Sequence, residues 1–341
     1  TQMNLQTLIG SEELTQFYKN KFYFSYSSIN KLLFSPRSFY SHYVLNQRED
    51  SIDPHLVGGR VLHCLLLEPE NFEKDFILMP DKFPTDSNRI LIDNIFKNYL
   101  SIENNTLLLE EFQKEILTDL LNSNLYQTLK TDQQRLDKIL TDQNKNYFEF
   151  LKTKQNKALV DPIIYANCIE TVAMLKSNKD VRALLYLDKE ISDDHITVFN
   201  ELPLKHNVNN LPFGYKGILD NVVIDTESKT IFISDLKTTG KGLLDFPDTV
   251  KYYKYWIQAS MYYHLVYEEY IKPMNDTKDW TIVITFIVVD KYNQIYPFQV
   301  SQESLAVWLR DFDKIIDIVK YHYENKDFTL PYELAIGNVK L

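Results

Sequence analysis

The sequence predicts a mixed α/β fold in which one β-sheet is flanked by helices. Two neighbouring segments, 213–225 and 229–238, alternate β-branched and apolar residues and are joined by a short polar turn. A helical segment follows at about 249–270, and a very apolar strand follows that helix at 280–290. A hairpin that crosses through a helix to a further strand produces a sheet of mixed strand direction with helices on its faces.

The other predicted elements complete this core. They are, in chain order, a helical segment at 11–50 interrupted by Ser-Pro at 35–36, an apolar helix at 54–70, a strand at 195–202, an edge strand at 294–300 and an amphipathic helix at 302–324. The long polar stretch 85–190 has helical periodicity and is predicted to be a helical insertion within a single domain of residues 1–341. Without the insertion, the element order is α-β-β-β-α-β.

Composition sets limits on the class of protein. The chain has 341 residues, of which 44% are hydrophobic and 25% charged, as in globular domains. Its two cysteines, Cys64 and Cys168, cannot supply an iron–sulfur cluster or a four-cysteine zinc site. They form no disulfide framework, and no signal peptide or membrane span is visible, so we expect a cytoplasmic protein without a membrane partner.

The net charge of −10 argues against a general nucleic-acid binder, which would carry a basic surface. It does not exclude a nuclease. A nuclease needs only a local basic channel, and carboxylates elsewhere keep non-specific binding weak.

Two acidic residues and a lysine are predicted to converge on the hairpin. If the turn pairs Asp225 with Thr230, Asp220 lies directly opposite Asp235. Facing carboxylates repel each other, and a divalent cation between them would remove that penalty. Lys237 lies two residues beyond Asp235 and therefore leaves the same face of the strand. This combination is what a metal-dependent phosphodiester hydrolase needs.

Each of these groups has a chemical role in that prediction. The carboxylates of Asp220 and Asp235 supply the hard oxygens that Mg²⁺ or Mn²⁺ prefers, and the backbone carbonyl of Leu236 is a further candidate ligand. Lys237 is predicted to orient the attacking water and to stabilise charge in the transition state. The alternative interpretation is that all three charged groups are solvated residues on the surface of a strand.

The helix at 249–270 offers a surface for nucleic acid. Gln258 and Tyr262 are four residues apart and share one helical face, which Lys251 and Tyr255 extend toward the N-terminus. The alternative is a packed aromatic face. Lysine and glutamine among the tyrosines favour contact with a DNA backbone or a splayed base.

Four motifs in order resemble the PD-(D/E)xK nuclease superfamily, and in particular its RecB/RecE/lambda-exonuclease branch. They are Gly59-Arg60-Val61-Leu62-His63 with the following Leu67-Glu68-Pro69, then Lys216-Gly217-Ile218-Leu219-Asp220, then Asp235-Leu236-Lys237-Thr238-Thr239, and finally Gln258-Ala259-Ser260-Met261-Tyr262. The resemblance covers about residues 22–80 and 190–300. It implies a restriction-endonuclease-like core of order αβββαβ.

The resemblance also implies roles for individual residues. His63, which by itself would be read as a core histidine, becomes a metal ligand beside the two aspartates. Gln258 and Tyr262 join Lys237 in the catalytic set. Arg37, in the segment Ser35-Pro36-Arg37-Ser38, becomes a contact for a terminal 5′-phosphate, a role that suits the bidentate guanidinium. The alternative for Arg37 is an ordinary surface arginine.

The implied activity is that of a Mg²⁺-dependent DNA exonuclease which degrades one strand from a duplex end, 5′→3′, for recombination by single-strand annealing. Its implied partners are double-stranded DNA ends, a single-strand annealing protein and further copies of itself in a ring. Its implied location is the cytoplasm of a bacterial cell, with a phage as the possible origin of the gene. Two alternatives stay open: a structure-specific or restriction-type endonuclease on the same core, and a non-catalytic DNA-binding module.

Overall fold

The computed structural model describes residues 11–47, 54–100, 106–208 and 210–341. The helices are, in chain order, α1 (Glu12–Lys19), α2 (Tyr26–Phe34), α3 (Pro36–Phe39), α4 (Pro54–Leu67), α5 (Phe72–Asp75), α6 (Asp86–Tyr99), α7 (Gln113–Asn122), α8 (Asp132–Ile139), α9 (Asp142–Lys154), α10 (Pro162–Ser177), α11 (Lys179–Leu185), α12 (Phe246–Tyr253), α13 (Tyr255–Val266), α14 (Gln302–Asn325) and α15 (Tyr332–Ala335). The strands are β1 (Tyr23–Phe24), β2 (Phe76–Leu78), β3 (Ala158–Val160), β4 (Ile196–Asn207), β5 (Gly214–Asp225), β6 (Thr230–Thr238), β7 (Thr281–Val289) and β8 (Ile295–Gln299). No helix within these ranges is long and apolar enough to cross a membrane.

The chain forms two compact units. The first unit contains Thr1–Ile52, Leu66–Glu68 and Thr171–Leu341, and the second contains Asp53–Leu65 and Pro69–Glu170. The predicted insertion 85–190 therefore overlaps the second unit only as far as Glu170. Helix α4 contributes its last residues to the first unit and the remainder to the second.

The first unit is built on a mixed β-sheet flanked by helices, as the sequence predicts. Strand β4 runs antiparallel to β5, β6 runs antiparallel to β5, β7 runs parallel to β6, and β8 runs antiparallel to β7. The connection from β6 to its parallel neighbour β7 passes through α12 and α13, as a parallel pair requires. The five strand segments predicted from alternation and composition are all present.

One edge of β5 is shared by two strands. Strand β4 occupies the other edge along the whole of β5. On the shared edge, the two residues of β1 pair with Gly214 and Tyr215, and β6 takes over from Asn221 onward. The described ladder pairs leave the intervening segment 216–220 without a strand partner on that edge, so the sheet opens there.

Serine caps set the helix boundaries near the N-terminus. The Ser25 side chain accepts a hydrogen bond from the backbone N–H of Ser28, and the Ser28 hydroxyl accepts one from the backbone of Ser25. Ser35 ends α2 and begins α3, where its side chain accepts from the backbone N–H of Ser38 and Pro36 occupies the first position. Both arrangements satisfy N–H groups that a helix start leaves unpaired. The predicted Ser-Pro interruption is confirmed.

Alternation along the strands places the core of the first unit on one face of the sheet, under α13 and α14. Its strand members include Val222, Ile224, Ile231, Ile233, Ile284 and Phe286, and its helix members include Met261, Leu265, Phe312 and Ile316. On the opposite face, the buried amide of Asn221 donates to the backbone carbonyl of Leu185 at the end of α11, at 3.2 Å. Helices therefore contact both faces.

The predicted helix at 249–270 is interrupted. Helix α12 ends at Tyr253, Lys254 adopts the left-handed conformation with φ 55° and ψ 45°, and α13 begins at Tyr255. The helix then widens into a π-turn at Tyr267–Ile271. The predicted stripe that ran from Lys251 through Tyr255 to Tyr262 is therefore wrong, because Lys251 belongs to a different helix from the other members.

The second unit has its own apolar core, to which the four helices α6 to α9 contribute. Its buried members include Ile92, Ile95, Ile116, Leu120, Ile139 and Phe148. A small parallel pair, β2 and β3, runs from Phe76 opposite Ala158 to Leu78 opposite Val160. This pair and β1 were not predicted, because strands of two or three residues carry too little alternation to be recognised.

Candidate active site

The β5–β6 hairpin has the predicted register, with Asp225 opposite Thr230. The ladder pairs end just before Asp220 and Asp235, which would form the next facing pair. Both side chains are buried, with 7% of Asp220 and 4% of Asp235 exposed. Two carboxylates are therefore held in the interior where the strands separate, and burial of charge at that position is typical of functional sites.

Donors of the protein itself stabilise both carboxylates. Asp220 Oδ2 accepts a hydrogen bond from the backbone N–H of Leu236 at 2.7 Å, across the opening between the strands. Asp235 Oδ2 lies 2.8 Å from the Nζ atom of Lys237. An N–H group and an ammonium therefore offset part of the repulsion between the two carboxylates, and the cation predicted to remove that repulsion stays a prediction.

A third carboxylate joins this pair. Glu201 lies on β4 at the position opposite Asp220, and carboxylate oxygens of the two residues lie within 4.8 Å of each other. The backbone of Glu201 has φ +49° in the middle of a strand, a left-handed conformation that non-glycine residues rarely adopt. Such strain is concentrated at functional sites. Glu201 was not among the predicted ligands, because its position depends on how β4 pairs with β5.

Lys237 has three partners in the site. Besides Asp235, its Nζ atom donates to Gln258 Oε1 at 2.6 Å and lies 4.2 Å from the centre of the Tyr255 ring. Burial acts to lower the pKa of the Lys237 ammonium, but the neighbouring Asp235 carboxylate outweighs it, and the net pKa is raised. Lys237 is therefore a fixed positive charge at neutral pH and not a general base.

The chain of hydrogen bonds continues from Gln258 to the sheet. The Nε2 atom of Gln258 donates to the Tyr262 hydroxyl at 3.1 Å, and that hydroxyl donates to the backbone carbonyl of Ile218 at 3.1 Å. Ile218 lies in the segment of β5 that has no strand partner on the shared edge. The relay from Lys237 through Gln258 and Tyr262 thus links α13 to the opened sheet.

The Tyr262 hydroxyl is buried and interacts electrostatically with all three carboxylates. Burial raises the pKa of its hydroxyl well above the ordinary value, and the charges of Asp235, Asp220 and Glu201 raise it further. The phenol therefore stays protonated and acts as a hydrogen-bond donor.

Burial does not fit the predicted contact between Tyr262 and a DNA strand, since only 8% of this residue is exposed and its hydroxyl already has two partners. Gln258 likewise uses both ends of its amide inside the protein. The geometry favours a different role for both residues, which is to hold Lys237 in place. Tyr255 contacts Lys237 directly through its ring.

Gly217 allows Tyr262 to approach the sheet. A Cβ atom at this position would lie 2.9 Å from Tyr262 Cε1 and 3.4 Å from Leu265 Cδ1, so a side chain would displace packed groups. We expect Gly217→Ala to lower the free energy of unfolding by about 1–3 kcal/mol, measured by urea denaturation in metal-free buffer. Gly240→Ala is the matched control, because a Cβ atom there meets nothing within 4 Å. Equal effects of the two substitutions would contradict the close approach.

The two remaining predicted site residues lie on helices near the N-terminus. His63 is half-buried on α4, in the part of that helix that belongs to the second unit. Arg37 is exposed on α3 in the first unit. Their predicted roles as a metal ligand and as a phosphate contact stay predictions.

The donor set fits a hard divalent cation. Glu201 and Asp220 have carboxylate oxygens within 4.8 Å of each other, and Asp235 lies on the adjacent strand β6. Magnesium and manganese prefer such oxygen ligands. The backbone carbonyl predicted as a further ligand belongs to Leu236, whose N–H group is bound to Asp220.

Comparisons with known proteins add little to this geometry. No family model matches the chain, and no curated protein matches it. A crystal structure of a "Putative exonuclease" from Eubacterium rectale is similar over 94% of this chain and 87% of that chain, with 14% identity and a TM-score of 0.41. The crystal structure of SSO0001 is similar over 69% of this chain and 98% of that chain, with 14% identity and a TM-score of 0.22. Because both TM-scores are below 0.5, neither similarity supports a functional conclusion.

Proposed function

We propose that this protein is a metal-dependent nuclease with a PD-(D/E)xK core. The observation that carries the proposal is the buried ion pair of Asp235 and Lys237 beside Asp220, at the point where β5 and β6 separate. A third carboxylate, Glu201, lies near Asp220, and buried groups of ionisable residues are concentrated at functional sites. Acidic oxygens grouped around one fixed ammonium match the needs of phosphodiester hydrolysis.

We propose that the metal is Mg²⁺ or Mn²⁺. Asp220, Asp235 and Glu201 would hold it through carboxylate oxygens, with the Leu236 carbonyl and, by the resemblance, His63 as further ligands. When bound, such a cation would supply polarisation of the scissile phosphate and activation of the attacking water.

The residues of the chain supply the remaining chemistry. Lys237 keeps its charge at neutral pH and stabilises the negative charge that develops on the phosphoryl oxygens. Gln258 and Tyr262 hold its ammonium in position, so that no reorganisation is needed when that charge appears. The low exposure of Asp220, Asp235 and Lys237 strengthens these electrostatic interactions, because charges interact more strongly in a low-dielectric interior.

The substrate and the direction of cleavage follow from the resemblance. We propose digestion of one DNA strand from duplex ends, 5′→3′, with Arg37 as the contact for a terminal 5′-phosphate and Lys251, exposed on α12, as a contact for the backbone. The wider setting is recombination by single-strand annealing in a bacterial cytoplasm. There an annealing protein would be the partner, and a ring of copies would enclose the DNA.

Linear duplexes labelled at either end test this function. We expect degradation with Mg²⁺ or Mn²⁺, release of nucleotides from the 5′ end, faster digestion of 5′-phosphorylated than of 5′-hydroxyl ends, and no cleavage of closed circular DNA. Undiminished digestion in EDTA would rule out the metal mechanism. Cleavage of the closed circle would favour the endonuclease alternative, and binding without cleavage would favour the non-catalytic module.

A further inference from the structure

Three tyrosine rings run from the surface to Lys237. Tyr252 is 79% exposed and meets Tyr253 edge to face, with ring centres 4.9 Å apart. Tyr253 is 52% exposed and stacks on Tyr255 at 5.5 Å, with 18° between the ring planes. The Tyr255 ring in turn lies 4.2 Å from Lys237 Nζ. An aromatic path therefore begins in solvent and ends at the proposed site.

The break between α12 and α13 creates this path. In a continuous helix, residues two apart leave the axis about 200° apart, so Tyr253 and Tyr255 would face opposite sides. The left-handed conformation of Lys254 brings the two rings onto one side. That conformation is unfavourable for lysine and persists only where the surrounding structure enforces it.

Helix α2 enforces the break. The Tyr26 hydroxyl donates to the backbone carbonyl of Tyr253, and the Asn30 side-chain amide donates to the same carbonyl at 3.2 Å. The Tyr26 ring also lies 6.3 Å from the Tyr255 ring. The rings are thus held in position before any ligand arrives, which reduces the entropy lost on binding.

We propose that Tyr252 and Tyr253 form a stacking platform for the bases of a single DNA strand that enters or leaves the site at Lys237. That the ligand is a DNA strand rests on the proposed nuclease function. Aromatic side chains bind bases without regard to sequence, because every base presents a flat π-face. Tyr252 and Tyr253 are adjacent and exposed, so both leave ring surface accessible to a ligand.

The charges around the platform are compatible with a nucleic acid but do not dominate it. Lys251 and Lys254 belong to the same segment as the tyrosines, and Asp248 lies one turn before Tyr252 on α12. With Asp245 at the N-cap of α12, two acids and two lysines leave this segment without a net charge to attract phosphates. We therefore expect ring stacking to supply most of the affinity of this surface, with a shallow dependence on salt.

Binding of a fluorescent oligothymidine strand to the full chain, measured by anisotropy in EDTA so that no cleavage occurs, tests the platform. We expect Tyr252→Ala and Tyr253→Ala each to weaken binding about 5- to 150-fold, whereas Tyr252→Phe and Tyr253→Phe retain affinity because the ring remains. Tyr332→Ala is the control. It removes a partly exposed tyrosine that packs on Tyr321 near the C-terminus, and it should leave binding unchanged.

A strand that contains 2-aminopurine provides a second readout, since its fluorescence falls when the base stacks on a ring. We expect quenching by the wild type and loss of quenching in the alanine variants. Tyr252 is mostly exposed, so its alanine variant can decide the test if Tyr253→Ala fails to fold. Wild-type affinity in Tyr252→Ala, or no binding of single strands by the wild type, would overturn the platform. Ring-dependent binding by a protein that does not cleave DNA would support the platform while removing the nuclease proposal.

Discussion

Replacement of Asp220 by asparagine is expected to lower turnover on linear duplex DNA by about 10³-fold or more, while the fold remains intact. The substitution removes one charged ligand from the proposed metal site, where charge stabilisation is worth several kcal/mol in the transition state. The asparagine carbonyl can still accept the hydrogen bond that the backbone N–H of Leu236 donates to Asp220 at 2.7 Å. Steady-state kinetics and urea denaturation would measure the two effects separately.

Two further variants give this experiment its controls. Asp220→Ala removes the acceptor of the Leu236 N–H hydrogen bond as well as the charge, so the free energy of unfolding should also fall, by about 1–3 kcal/mol. Asp225→Asn is the matched control, because Asp225 lies on the same strand. Like Asp220, it accepts hydrogen bonds from backbone N–H groups, here those of Glu227 and Ser228 at the turn. Its activity should stay close to that of the wild type. Activity of Asp220→Asn within tenfold of the wild type would exclude Asp220 from the metal site.

Replacement of Lys237 by alanine is expected to lower turnover by about 10²–10³-fold with little change in affinity for DNA, as for loss of a single electrostatic stabiliser at the reacting centre. The ammonium is held by Asp235, Gln258 and the Tyr255 ring, and it acts where charge develops, not as an anchor for the strand. Turnover would be measured with Mg²⁺, and affinity would be measured in EDTA.

The same variant has a consequence for stability. Without Lys237, the buried carboxylate of Asp235 loses its ion-pair partner, and removing one member of a buried pair costs about 3–5 kcal/mol. We expect that loss of unfolding free energy in EDTA, and partial recovery with Mg²⁺, which would again neutralise the carboxylate. Lys291→Ala, at an exposed position, is the control for loss of a positive charge. A fall in DNA affinity as steep as the fall in turnover would make Lys237 a phosphate anchor instead.

Local features were enough to predict the hairpin and its charged residues. The short polar turn sets the register of β5 and β6, and the two-residue repeat of a strand then places Asp235 and Lys237 on one face, where they form an ion pair at 2.8 Å. The Ser-Pro interruption and the five predicted strands of the sheet also follow from local chemistry. Each of these features depends on residues that are close together in the sequence.

The tertiary structure decided the features that depend on distant residues. Helical periodicity places Gln258 and Tyr262 on one face, but only packing against Gly217 shows that this face is buried and bound to Lys237. The third carboxylate, Glu201, reaches Asp220 only through the pairing of β4 with β5.

The break at Lys254 illustrates the same limit. No glycine or proline marks that position, and the donors that hold it, Tyr26 and Asn30, lie more than two hundred residues earlier in the chain. A left-handed lysine is locally unfavourable, so the local sequence predicts a continuous helix there. Hydrogen bonds from α2 reverse that preference, and they exist only once the chain has folded.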